Sequence, residues 1–191
     1  MPRITVVENV TLDGVMQAPG RPDEDTRRGF AHGGWGVPYA DEVQMREMGK
    51  DMAREGSLLF GRRTYELLME SWAGREDNPF SPVLDARLKY VASTTLREPL
   101  PWQNSVLLAG DAVEAVRRLP AEEELGVLGS GELVRGLLAA GLVDELRLLI
   151  HPLVLGSGTR LFAADGARLG LRLERSVTTT TGVIIATYRP V

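Results

Sequence analysis

Between Ser57 and Gly141 the sequence switches repeatedly between short apolar runs and helical stretches, and this alternation limits the possible folds more than any other feature. Ser57–Gly61 reads as a strand, Arg62–Trp72 as a helix, and Lys89–Ser93 and 105–108 as strands. Residues 111–119 read as a helix with Asp111 as N-cap and Pro120 as stop. A strand over 125–129 and a helix over 132–140, closed by Gly141, complete the series. Such alternation places helices on both faces of a parallel sheet. Upstream lie a strand over 4–10 and a helix over 41–54, with Val43, Met45, Met48 and Met52 as apolar positions. Downstream come strands over 145–153, 169–176 and 182–188 with no helix between them, the last two joined as an antiparallel edge hairpin. The expected class is α/β, a three-layer fold on a mixed, mainly parallel central sheet with antiparallel C-terminal strands. Its 191 residues fit a single domain over 1–191.

The most informative segment is Leu58-Leu59-Phe60-Gly61-Arg62-Arg63-Thr64-Tyr65-Glu66. An apolar strand ends in glycine, where a tight turn is permitted, and a helix follows at once. The helix start presents unpaired N–H groups and the positive end of its dipole, a natural seat for phosphate. Arg62 and Arg63 add fixed positive charge and Thr64 a hydroxyl donor. Val127-Leu128-Gly129-Ser130-Gly131-Glu132-Leu133 repeats the same strand, glycine and helix logic. It is neither a Walker A loop nor a complete G-x-G-x-x-G pattern. A third strand end, Ser93-Thr94-Thr95-Leu96-Arg97, carries hydroxyls and an arginine where α/β sheets present ligands. Ser93, Thr94 and Arg97 suit an adenosine ribose or an extra phosphate, or else they solvate a loop.

Composition removes several classes of function. There is no cysteine and only two histidines, His32 and His151, so thiolate chemistry is absent and a metal centre is not expected. A net charge of −4 disfavours nucleic acid as a partner. The N-terminal residues pass straight into a strand pattern, and no apolar run is long enough for a bilayer, so the expected location is cytoplasmic with no membrane partner. Residues 13–39 form a long stretch rich in Gly and Pro, with the acidic cluster Asp23-Glu24-Asp25, of a length expected to be functional or mobile.

Taken in order, these elements resemble the dihydrofolate reductase-like superfamily, and most closely the C-terminal reductase domain of the bifunctional riboflavin-biosynthesis deaminase-reductase. The resemblance is carried by Thr11-Leu12-Asp13-Gly14, by Gly33-Gly34-Trp35-Gly36-Val37-Pro38-Tyr39 and by the three strand ends above. Leu142-Val143-Asp144-Glu145-Leu146 and His151-Pro152-Leu153-Val154-Leu155-Gly156-Ser157-Gly158 complete it. It implies a small stand-alone reductase using NADPH. Gly61, Arg62, Arg63 and Thr64 would hold the cofactor phosphates, and Ser93 and Thr94 would line the adenosine side. Gly129, Ser130, Gly131, Glu132 and Leu133 would meet the pyrophosphate and nicotinamide ribose. Asn9, Val15 and Met16 would border the nicotinamide.

Dihydrofolate reductases carry an acid just after a Trp-x-x-Pro turn. Here Trp35-Gly36-Val37-Pro38 is followed by Tyr39, Ala40 and Asp41, one position late. Asp41 is therefore either the proton-related catalytic group or a helix N-cap. Trp35 and Tyr39 either stack on a planar substrate or belong to the core. His151, inside an apolar run, reads as buried or as part of an interface.

The function expected is hydride transfer from NADPH to a small heterocyclic or carbonyl-type molecule. The alternatives are a non-catalytic nucleotide- or ligand-binding dimer that keeps the reductase fold, and a purely structural dimer. The aliphatic runs Glu145-Leu146-Arg147-Leu148-Leu149-Ile150 and Leu169-Gly170-Leu171-Arg172-Leu173 suggest burial against a second copy, and the resemblance also points to a homodimer. An internal core would explain them as well.

Overall fold

The computed structural model describes residues 1–78, 80–162, 166 and 168–191. Eight strands form one sheet: β1 (Arg3–Thr11), β2 (Ser57–Gly61), β3 (Lys89–Ser93), β4 (Ser105–Ala109), β5 (Glu124–Leu128), β6 (Glu145–His151), β7 (Leu171–Thr178) and β8 (Ile184–Pro190). Their order is β4-β3-β2-β5-β1-β6-β8-β7. Strands β4, β3, β2 and β5 pair in parallel, while β6, β8 and β7 are antiparallel. Among the described residues five α-helices accompany them: α1 (Glu42–Met52), α2 (Arg62–Trp72), α3 (Ser81–Ala86), α4 (Ala112–Arg117) and α5 (Gly131–Ala139). The expected α/β class and mixed sheet are therefore observed. The chain packs as two compact units, residues 1–6 with 52–143 and residues 7–51 with 144–191.

In the first unit, β2 and β3 are buried on both faces, as their continuous apolar sequences require. Leu58, Phe60, Tyr65, Leu84, Val91 and Trp102 form the core, and the Trp102 N–H donates to the Tyr65 hydroxyl at 2.9 Å. Helix α3 was not anticipated. At six residues it is too short for a periodic signal, and tertiary contacts hold it. The fully buried Lys89 ammonium donates to the carbonyls of Leu84 at 2.6 Å and Arg87 at 2.7 Å, capping the C-terminal end of that helix. The Trp102 indole N–H donates to Asp85 at 2.6 Å.

In the second unit the expectation for α1 needs correction. Its fully buried side chain is Glu47, whereas Met45 is 45% exposed and Val43 and Met48 are half-buried. Arg175 of β7 donates two hydrogen bonds to Glu47, at 2.7 and 3.1 Å, and Lys50 a third at 2.7 Å. Arg147 of β6 pairs with Asp51. The helix is thus moored to its strands by charge, which a search for apolar periodicity does not see. Strand β6 ends at His151, before Pro152, rather than at Leu153, because proline has no N–H for the ladder. Its aliphatic residues Leu146, Leu148 and Leu149 are buried within the chain, while Leu173 on the edge strand is 53% exposed.

Two side chains near the start of the stretch 13–39 fasten it: the Asp13 carboxylate accepts the Leu155 and Gly156 N–H groups, and Gln17 reaches in both directions. The Gln17 amide nitrogen donates to the carbonyls of Asp25 and Arg27, and its oxygen accepts from the Thr159 N–H and hydroxyl. Its backbone carbonyl accepts the Trp35 indole N–H at 2.6 Å.

Arg175, with Lys50, holds the Glu47 carboxyl down from 4.5 to about 2. Because the unfolded chain then binds the extra proton first, this contribution is complete above about pH 5 and is lost as pH falls toward 2. Glu47→Gln should cost about 2 kcal/mol at pH 7, after allowing for the exposed partners. Urea denaturation at pH 7 and pH 3 should show the difference from the parent shrinking in acid.

Candidate functional site

Three parallel strands of the first unit end at the same level. Gly61 of β2 pairs with Ala92 of β3, so Ser93 lies one residue beyond it, and the Leu59–Val127 pairing brings Gly129 level with Gly61. The carboxyl ends of parallel strands are where α/β sheets bind ligands.

The turn after β2 has no intervening loop. Gly61 is the N-cap of α2 and supplies no side chain to it. Its φ of −76° is open to any residue, and a Cβ there would rest 3.8 Å from Ser130. The expected need for a glycine turn is thus not met at Gly61. It is met at Gly129, where φ is +59° and a Cβ would lie 3.1 Å from the Thr64 methyl. Ser130 follows, also left-handed at φ +67°.

A serine at an N-cap ordinarily accepts from its own helix. In this backbone conformation Ser130 does not cap α5. Its hydroxyl accepts the Gly61 N–H at 3.0 Å, and the Ser130 N–H donates to the Thr64 hydroxyl at 3.0 Å. The two turns are latched to each other, side chain to backbone in both directions. Two helix starts, α2 and α5, therefore stand side by side, neither capped by its N-cap residue. Their first N–H groups, from Arg62 and Arg63 and from Glu132 and Leu133, have no partner within their own helices. Together they can hold an anion.

Arg62 pairs with Glu66 at 2.9 Å and Arg63 with Glu132 at 3.4 Å. Ser93 turns its hydroxyl inward and accepts the Thr95 and Leu96 N–H groups, so it shapes its own turn. Thr94 and Arg97 beside it are exposed, and Arg97 donates to the Leu96 carbonyl.

The remaining site candidates lie in the second unit. The Asn9 side-chain oxygen faces His151 Nε2 at 3.0 Å. His151 is fully buried, with the edges of Trp35 and Tyr39 packed against it at ring-centroid distances of 5.0 and 5.5 Å. Burial pushes its imidazole down to about 4, so it is neutral at physiological pH. Val15 and Trp35 are buried in a cluster with Ala18 and Phe30, the surroundings of the core alternative for Trp35. Met16 and Tyr39 are half-buried.

Asp41 immediately precedes α1. One carboxylate oxygen accepts the Gln44 N–H at 2.8 Å, capping α1, and the other accepts the Thr180 N–H and hydroxyl, both at 2.6 Å. The Thr180 hydroxyl first, then the Gln44 N–H, hold the carboxyl below the usual range. The cap alternative is the one the structure supports. Sequence reading missed Gln17 and Thr180, whose partners lie far along the chain.

The description "RibD C-terminal domain" belongs to the family whose model matches residues 2–185. The uncharacterised protein YyaP of Bacillus subtilis (strain 168) is 30% identical over 139 residues, covering 69% of this chain and 72% of that protein. A candidate riboflavin biosynthesis protein from Shewanella sp. PV-4 shares the fold with a TM-score of 0.70 at 22% identity, over 100% of this chain and 99% of its own. Dihydrofolate reductase from Enterococcus faecalis, solved with NADP(H) and RAB-propyl, has a TM-score of 0.61 at 13% identity, over 98% and 96% of the two chains.

The latch makes a direct test of how the turns are coupled. Thr64→Val keeps the volume but leaves the Ser130 N–H, in a residue only 8% exposed, without its acceptor. The expected loss is about 1–3 kcal/mol in chemical denaturation, against nearly none for an exposed Thr94→Val control.

Proposed function

The chain belongs to the RibD C-terminal domain family, and we propose that within it this protein is an NADPH-dependent reductase of a small heterocyclic or carbonyl-type molecule. The observation that carries the reading is the pair of helix starts, α2 and α5, joined by the Thr64, Gly61 and Ser130 hydrogen bonds. Uncapped N–H donors and two arginines at these helix starts match a pyrophosphate in charge. The family supports reductase chemistry. The fold is shared with a dihydrofolate reductase solved with NADP(H).

In this reading Arg62, Arg63 and Thr64, with the N–H groups of Gly131, Glu132 and Leu133, hold the phosphates. Thr94 and Arg97 take the adenosine side, with Ser93 keeping their turn in shape. When bound, the cofactor supplies the hydride, and the chain's own work is to bind and orient. Asp41 acts here as a positioning residue, tying α1 to the β7–β8 turn through Thr180. The exposed Leu173 on edge strand β7 supports self-association as a homodimer, which sedimentation should read as twice the 20.9 kDa chain mass.

The engagement of both Asp41 oxygens favours one second reading, a nucleotide-binding protein without turnover. Oxidation of NADPH against a panel of pterins, pyrimidines and carbonyl compounds separates the two. Tight cofactor binding with no oxidation would select the second.

Cofactor titration by fluorescence tests the shared premise. NADPH should bind, and Arg97→Gln should weaken it by roughly 1–3 kcal/mol through loss of the 2′-phosphate contact, while NADH changes little. Equal losses for both cofactors would remove the 2′-phosphate assignment. Failure of the parent protein to bind either one would remove the reductase.

A further inference from the structure

The arginines that open α2 each already hold a carboxylate, and the two pairs differ in kind. Arg62 and Glu66 are one turn apart on the same helix, an arrangement that supports the helix itself. Arg63 and Glu132 join the first turn of α2 to the first turn of α5, across the mouth of the two latched helix starts. At 3.4 Å the second contact is longer than a well-formed charge-assisted hydrogen bond. Its side chains are 48% and 78% exposed, so water competes for both partners.

From this geometry we infer that Glu132 is an internal stand-in for the ligand's phosphate and acts as a specificity residue, because an incoming anion must displace it from Arg63. The inference rests on the nucleotide reading above. The carboxylate sits where negative charge is favoured, in the first turn of α5, and it pairs with Arg63 of the first turn of α2. While it stays there, a second anion meets repulsion and finds Arg63 already neutralised. A ligand with several anionic and hydrogen-bonding groups recovers that loss through its other contacts. A small anion such as inorganic phosphate or pyrophosphate does not. Glu132 can swing aside at low cost, since its side chain is mostly in water and leaves no charge buried behind it. The device therefore filters against the simple anions that helix starts otherwise attract.

Calorimetric titration of the full chain with inorganic pyrophosphate and with NADPH tests this in the parent, Glu132→Gln, Arg63→Gln and the double variant. Glu132→Gln should bind pyrophosphate about three- to ten-fold more tightly than the parent and gain less for NADPH. In the Arg63→Gln background the same substitution should gain less than about two-fold, because there is no cation left to release. Glu132→Asp, which keeps the charge, should stay close to the parent. Equal pyrophosphate binding by the parent and Glu132→Gln, when NADPH still binds, overturns the filter and leaves the nucleotide reading in place. An undiminished gain without Arg63 overturns it too. Binding of neither ligand to any of the four proteins overturns both.

Discussion

The reciprocal hydrogen bonds between Gly61, Ser130 and Thr64 are the constraint on which the candidate site depends. Each turn by itself is a common strand-to-helix junction, with donors too few and too mobile to define a ligand. Locked together, they bring two helix dipoles and two sets of free N–H groups to one place. The lock explains the local sequence as well. Ser130 leaves its own helix uncapped because its hydroxyl is turned to the neighbouring strand end. Gly129 suits glycine because its φ is +59° and a Cβ there would crowd the Thr64 methyl at 3.1 Å. A stabilising contact that would usually close a helix end is spent instead on holding two ends open.

Charge is used sparingly but in decisive places. Helix α1 is moored through Glu47 and Asp51 to Arg175 and Arg147, and α3 is capped by the buried Lys89 ammonium. A half-buried ion pair removes orientations as well as adding energy, since a bidentate guanidinium accepts a carboxylate in few geometries. The stretch 13–39 follows the same logic with a neutral group. Gln17 offers two donors and an acceptor, and all of them are engaged. A segment that its Gly and Pro content marks as irregular is in this way given one conformation.

The sheet was legible in the sequence because strand runs and helical runs differ in period, and the turns between them are marked by Gly, Pro and capping residues. Ser57–Gly61, Arg62–Trp72 and Lys89–Ser93 are observed with the bounds the sequence indicates. The helix α3 was not legible, since six residues make fewer than two turns. The buried face of α1 was not legible either, because Glu47 looks like a solvated residue until Arg175, 128 positions away, is brought to it. Residues implied by family resemblance take their neighbours from far along the chain for the same reason. Thr64 meets Ser130 from 66 positions away, and Asp41 meets Thr180 from 139 positions away.

The amino-acid sequence by itself determined the order of strands and helices, the places where helices begin in the open, and the absence of thiol chemistry. Those properties are local, set by side-chain period, backbone freedom and composition. The tertiary structure alone decided which helix starts share a neighbourhood, which acid is a cap, and which carboxylate meets which arginine. Each of these depends on hydrogen bonds and ion pairs between residues tens to more than a hundred positions apart, and only the closing of the chain brings such groups within 3 Å or so of one another.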